Sequence, residues 1–211
     1  MNQVRNYQKE LEKIIENIEG VPRLLLHSCC APCSSYCLEY LRHYFRITVF
    51  YYNPNISVDE EYKKRVEEQK KLISAYNIMD EPGLYPIEII EGDYEPEVYY
   101  QTVKGLEQCK EGGERCFACY ALRLQKTCEI ANEKHFDYFG TTLTISPLKN
   151  AAKLNEIGEN LAKSGQSKWL FSDFKKKNGY KRSIELSKEY DLYRQDFCGC
   201  IFSKVEREQN K

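Results

Sequence analysis

A parallel β-sheet wrapped by helices is the architecture to expect from this sequence, for three reasons. Short β-rich runs recur, each separated from the next by a helical stretch, and that alternation builds parallel sheets. With 42% hydrophobic and 30% charged residues, the chain has apolar surface for a real core, and its net charge of −1 is too small for a disordered tail. No internal repeat, low-complexity tract or clear linker divides the 211 residues, so they read as one α/β domain, 1–211, with an N-terminal helix and a cysteine-bearing C-terminal tail.

In "QKELEKIIENIEGVP", Leu11, Ile14, Ile15 and Ile18 fall at helical spacing until Gly20 and Pro22 stop the pattern, which predicts an amphipathic first helix. "RLLLHS" and "RITVFYYNPN" are β-rich, the second closed by an Asn-Pro-Asn turn, with a helix around "SSYCLEYLRHYF" between them. "SVDEEYKKRVEEQKKLISAYN" opens with Ser57 and Glu60 at capping-box spacing and directs Val58, Tyr62, Val66, Leu72 and Ile73 inward. The strand "YPIEIIEG" follows, then a helix from about Pro96, the loop "CKEGGERC", a helix in "CYALRLQKTCEIANEK" and a strand in "FDYFGTTL". Beyond Ser146 come a helix, a short strand or turn at "KWLFSDF", a helix through "SIELSKEYDLYRQ" and the tail.

The start, "MNQVRNYQKELEKII", lacks the basic-then-apolar order of a secretory signal, and no apolar run approaches the ~20 residues that cross a bilayer. A cytoplasmic protein without membrane contact is expected. In that compartment ten cysteines are metal ligands or redox groups rather than a disulfide framework.

The cysteines fall in three groups: Cys29, Cys30, Cys33 and Cys37; Cys109, Cys116, Cys119 and Cys128; Cys198 and Cys200. In a doubly wound sheet, ligands sit beyond the carboxyl ends of the strands, where the first group emerges. "CFAC" opens a helix whose N-terminus can face the same rim. Unpaired N–H groups at a helix N-terminus favour thiolate, the form that binds metal or attacks. Four thiolates suit either zinc or an iron–sulfur cluster. Adjacent Cys29 and Cys30 fit a cluster better than a zinc knuckle, because its separated irons let neighbouring side chains reach different metals. Cys37, beside Leu38 and Leu41, and Cys128, beside Ile130 and Ala131, read as buried apolar side chains. Cys109 receives no role; His27, just before the cysteines, can donate a proton or bond a sulfur, but a lone histidine at a strand end is more often a structural hydrogen bonder. In "CGC", Gly199 lets the backbone turn so that Cys198 and Cys200 can meet as a readily reduced disulfide that stores two electrons, or they stand as two separate buried thiols. Two other readings stay open: a thiol–disulfide oxidoreductase built on "CAPC", and a zinc-stabilised RNA-binding module without catalysis.

Taken as a set, "HSCCAPCS", "YYNPNI", "GERCFACYALRL", "FGTTLTISPLKN" and "LFSDFKKKNGYKRSIELSKEYDLYRQDFCGCIFS" resemble the epoxyqueuosine reductase family QueH, from about Arg23 to Ser203. The resemblance implies a nucleotide-hydrolase-like, Rossmann-type α/β fold with a helical C-terminal part. It also implies an oxidoreductase of queuosine biosynthesis, which removes the epoxide oxygen from epoxyqueuosine at the wobble position of tRNA. A 4Fe-4S cluster and an additional iron ion are implied with it, Cys29, Cys30, Cys116 and Cys119 being the cluster ligands. Cys33, standing where some relatives carry aspartate, is an implied ligand of the extra ion together with Cys29. Cys198 and Cys200 are the implied redox pair, replenished by an electron donor that the sequence does not identify. The loop "HSCCAPCSS" lacks a glycine-rich phosphate cradle, so ATP binding is not expected. Tyr52, Asn53 and Asn55, at the end of the second strand, are candidates for stacking on a nucleoside or bonding its base edges. "KKKNGYKRS" offers Lys175, Lys176, Lys177, Lys181 and Arg182 to the tRNA backbone, although a solvated loop and helix start is the commoner meaning of such a run and the one the sequence alone favours.

Overall fold

The structure is a computed structural model describing residues 5–79 and 82–209; residues 1–4, 80–81 and 210–211 of the expected 1–211 domain lie outside the described residues. Five strands, β1 (Arg23–His27), β2 (Arg46–Tyr51), β3 (Glu88–Glu91), β4 (Tyr138–Thr141) and β5 (Lys168–Trp169), form one sheet of order β3-β2-β1-β4-β5. Every pairing is parallel, with Leu24 of β1 opposite both Ile47 of β2 and Tyr138 of β4. The helices are α1 (Tyr7–Glu16), α2 (Ala31–Leu41), α3 (Asp59–Ile78), α4 (Pro96–Thr102), α5 (Glu114–Glu133), α6 (Ala151–Ala162), α7 (Gly179–Glu189) and α8 (Ile201–Gln209). The expected parallel α/β architecture with a helical C-terminal part is what forms.

β1 shows why both faces must be covered. Leu24, Leu25 and Leu26 are all fully buried, and a strand turns successive side chains to opposite faces. Leu24 and Leu26 pack with Leu38 and Leu41 of α2 and Leu72 of α3, whereas Leu25 packs with Leu124 of α5 and Leu154 of α6. The sheet order reverses direction at β1, between β2 and β4, and the crevice beyond the carboxyl ends of β1 and β4 is where such folds bind ligands. No helix among the described residues is long and apolar enough to cross a membrane.

Four local expectations change. Ser57 does not cap α3: the N-cap is Val58, without a side-chain cap bond, because the Ser57 hydroxyl and N–H both reach the Gly199 carbonyl at 3.1 Å. Asp59, Glu60 and Glu61 complement the helix dipole in its place. Val58 is exposed rather than inward, while Tyr62, Val66, Leu72 and Ile73 are buried as expected. After Thr141 the "TTL" run winds into a 3-10 turn, Thr142–Ile145, and α7 stops at Glu189, before "YDLYRQ".

Candidate active site

The link between β1 and α2 carries the first sulfur group. Cys30 is the extended N-cap of α2, and Pro32 sits in its first turn, where a missing N–H costs no bond. The link is fastened on several sides. Ser28 N–H donates to the Phe50 carbonyl at 3.0 Å, and the Ser28 and Ser34 hydroxyls both donate to Oε1 of Gln69, at 2.7 and 2.8 Å. Asn53 Nδ2 donates to the Ser28 carbonyl at 2.8 Å. The thiols of Cys29, Cys30 and Cys33 then lie within 4.8 Å of one another, close enough to hold a metal ion. Cys30 is held well below the usual thiol range because Cys29 and Cys33 donate to it, with Arg65 adding positive charge against the cost of burial. The donors shift the other way: hydrogen bonding to Cys30 raises Cys29, and bonding to Cys29 and Cys30 raises Cys33.

Beneath the link, His27 is fully buried and lies 2.9 Å from Thr141 Oγ1 through Nδ1, with Nε2 3.1 Å from the Tyr52 carbonyl. Burial and the neighbouring Arg123 hold it neutral, its pKa pushed down to about 3. It is the structural hydrogen bonder that its position suggests.

The second group opens α5, whose first residue is Glu114, so that Cys116 and Cys119 lie on its first two turns. Gly112 N–H donates to Cys116 Sγ at 3.2 Å. Cys119 is buried, and Arg123, one turn further along, places Nη1 3.9 Å from its sulfur. That guanidinium, itself fully buried, also bonds Asn53 Oδ1 and puts Nε 3.3 Å from His27 Nε2, joining α5 to both central strand ends. Here burial outweighs the helix N-terminus: Cys116 is raised and Cys119 is pushed up to about 11.

The tail brings the third group over the same crevice. Asn55 Nδ2 and Arg65 Nη1 hold the Cys198 carbonyl at 3.5 and 3.3 Å, and Ser203 Oγ accepts from Cys198 N–H at 3.1 Å. Gly199 has φ +106°, and a Cβ there would meet Ile56 at 2.9 Å, so both conformation and space demand glycine. All ten cysteines, Cys198 and Cys200 included, are free thiols. Cys198 lines the same cavity as Cys29, Cys30 and Cys33, and Lys149 Nζ lies 3.4 Å from its sulfur.

A cavity of about 350 Å³ opens beside these groups, lined by Cys29, Cys30, Cys33 and Cys198. Arg65, Arg123, Lys149, Arg194 and Arg207 also line it. Gln195 bonds Cys30, and its Oε1 is buried without a partner among the described residues. Sequence reasoning gave Arg65, Arg123 and Lys149 no role; a lone basic residue inside a helix, or in "SPLKN", carries no signal until the fold sets it beside sulfur.

The remaining candidates sit elsewhere. Tyr52, Asn53 and Asn55 are buried and already bonded, Tyr52 to Glu95, Asn53 to Ser28 and Arg123, and Asn55 to Cys198, so they shape the site from within. Lys175 pairs with Asp173, Lys177 with Glu12, and Arg182 with Glu39, Glu185 and Glu189. Lys176 and Lys181 are exposed. From this basic run Tyr180 and Ser183 reach the cavity. Cys37 and Cys128 are buried as expected, and the Cys109 carbonyl accepts from Arg115.

A family model described as "Epoxyqueuosine reductase QueH" matches residues 24–206. Three proteins bearing that name are similar over most of the chain. One from Streptococcus pyogenes serotype M1 is 43% identical over 205 residues, covering 96% of this chain and 79% of that protein. One from Staphylococcus epidermidis is 42% identical over 211 residues, with 98% and 87% covered. One from Thermotoga maritima is 34% identical over 186 residues, with 88% and 92% covered.

Proposed function

The chain belongs to the epoxyqueuosine reductase QueH family, and from that premise we propose that it removes the epoxide oxygen of epoxyqueuosine at the wobble position of tRNA, leaving queuosine and water. The observation that carries the reading is the packing of Cys29, Cys30 and Cys33 within 4.8 Å, at the carboxyl end of β1 and open to the cavity.

The donor set fits an iron centre: it is sulfur only, with thiolate character at Cys30. On this reading Cys29, Cys30, Cys116 and Cys119 hold a 4Fe-4S cluster, and Cys33 with Cys29 holds an additional iron ion. Bound there, the metal supplies single electrons and Lewis acidity toward the departing oxygen. The chain's residues do the rest. Lys149, Arg194 and Arg207 line the cavity beside Glu111 and Asp196, and on this reading those cations meet the nucleotide phosphate. Leu148, 59% exposed, and Tyr180, 37% exposed, offer apolar contact to a base entering the cavity. Cys198 and Cys200 relay reducing equivalents, restored by an external electron donor. Action on tRNA carries a cytoplasmic location with it.

Anaerobic incubation of the iron-loaded chain with reductant and epoxyqueuosine-bearing tRNA, followed by nucleoside mass spectrometry, tests the reading. Queuosine is expected from the intact chain and not from Cys30→Ser. Full turnover by Cys30→Ser, or none by the loaded intact chain, contradicts it.

A further inference from the structure

The charged side chains on the cavity wall are mostly donors. Lys149, Arg194 and Arg207 present N–H groups and no acceptor, which suits phosphate and little else. Two side chains from distant parts of the chain bring oxygen to the same space.

Glu111 comes from the loop ahead of α5. Its N–H donates to Glu206 Oε2 at 3.0 Å, and the Ser203 hydroxyl donates to its own Oε2 at 3.2 Å, so both backbone and side chain are held. Its Oε1 has no hydrogen bond among the described residues, and neither oxygen has an ion pair. Burial raises the carboxyl, and Lys149 offsets this only in part. A half-buried carboxylate beside a cavity, without a paired cation, is completed by a cationic ligand. Asp196, the other carboxylate on the wall, is exposed and already engaged.

Gln195 precedes the cysteine-bearing tail and lines the cavity. Its amide N–H donates to Cys30, which directs Oε1 away from that sulfur, and this oxygen is buried without a partner among the described residues. Its neighbours are fastened on either side: Arg194 Nη1 donates to Ser187 Oγ at 2.9 Å, and Arg65 Nη2 lies 3.5 Å from the Phe197 carbonyl. Buried acceptors are normally met, so this one suits a ligand hydroxyl or N–H.

The epoxide of epoxyqueuosine lies on a hydroxylated cyclopentane ring, joined to the base through a secondary amine that is protonated at neutral pH. These groups are donors, one of them charged, and an unmodified guanine has none of them. Resting on the reductase reading above, we propose that Glu111 and Gln195 are specificity-determining residues for that ring: the Glu111 carboxylate pairs with the secondary ammonium, and Gln195 Oε1 accepts from a ring hydroxyl. Charge decides the assignment, carboxylate to ammonium and neutral amide to hydroxyl. Gln195 also touches Cys30, so the hydroxyls that neighbour the epoxide fall to it. Both contacts are non-covalent, and no proton or electron moves in either.

Equilibrium binding to the full-length, iron-loaded protein, kept anaerobic and without reductant, tests the assignment free of turnover. The two probes, at one salt concentration, are a tRNA bearing epoxyqueuosine at the wobble position and the same tRNA with guanine there. The intact chain is expected to prefer the first by at least about 50-fold. Glu111→Gln keeps an acceptor for Ser203 and removes the charge; it should cut the preference about tenfold. Gln195→Leu should cut it about fivefold. In both variants the affinity for the guanine tRNA should stay unchanged, which a merely structural role would not allow. A preference that survives both substitutions, or affinities for both tRNAs that fall together, overturns the proposal. Should Gln195→Leu not fold, Gln195→Met repeats the test with the same outcomes. Nucleoside mass spectrometry decides the reductase reading separately. Queuosine formed by an intact chain whose preference survives both substitutions sinks this assignment alone, whereas a preference that the substitutions remove from a chain forming no queuosine sinks the reading alone.

Discussion

Cys30-x-x-Cys33 and Cys116-x-x-Cys119 have the same spacing and both stand at the start of a helix, yet their thiols differ in character. At α2 the third sulfur of Cys29 completes a mutually bonded group in which Cys30 accepts from both neighbours and falls well below its ordinary range. At α5 Cys116 and Cys119 do not belong to that mutually close group, and burial pushes Cys119 up to about 11. A helix N-terminus contributes roughly 0.3–1 kcal/mol to a nearby negative charge, less than desolvation takes from a buried one. Thiolate character is therefore set by neighbouring donors rather than by the motif. The first turn has the thiol that its neighbours favour as thiolate; the second has thiols that burial holds protonated.

The largest expected effect breaks the comparison at its stronger side. Cys30→Ser should lower iron affinity by more than about 100-fold, beyond the loss typical of an outer-sphere partner. Competitive chelation of the loaded chain measures it, and Cys119→Ser should show a smaller drop because its thiol is the less preorganised. Next, Arg123→Met strips a donor from Asn53 Oδ1 and removes the cation beside Cys119. Denaturant melts should show a loss of about 2 kcal/mol, the usual cost of buried polar groups left without partners.

His27, under the first turn, gives a smaller and pH-dependent effect. Its folded pKa of about 3 is depressed below the unfolded value near 6.5, so the unfolded chain binds more protons between those values and stability falls as pH drops through that window. In metal-free protein the slope from this group should approach about 1.4 kcal/mol per pH unit, and His27→Gln should abolish it. The smallest effect on either turn belongs to the basic run. Lys176→Gln with Lys181→Gln should leave iron content unchanged and reduce the salt slope of tRNA binding by roughly 0.7–0.9 for each phosphate that is no longer neutralised. An unchanged slope returns both lysines to plain solvated surface.

Much of the scaffold is legible in the sequence because it rests on periodic patterns: the apolar run of β1, the helical spacing of α1 and the inward face of α3 all reappear in the core. The capping-box spacing misleads because Ser57 serves a residue 142 positions away, Gly199, and no local pattern records such a partner. The cysteine groups are visible as residue types. Their unequal charge is not, since it depends on which sulfurs touch. The asparagines of "YYNPN" read equally as turn formers, and in the fold Asn53 and Asn55 direct their amide N–H groups to the Ser28 and Cys198 carbonyls, while Asn55 Oδ1 has no partner among the described residues. Lys149 stands inside the "SPLKN" run, and its place 3.4 Å from Cys198 Sγ arises only when the tail folds back onto it.

The most direct test of the central claim is iron and acid-labile sulfide content, with a visible absorption spectrum, of anaerobically purified protein and its Cys29→Ser, Cys30→Ser and Cys33→Ser variants. The account predicts a coloured intact chain holding both iron and sulfide, with Cys29→Ser and Cys30→Ser losing both and Cys33→Ser losing iron. A colourless chain that carries zinc without sulfide, and still converts epoxyqueuosine, would contradict it.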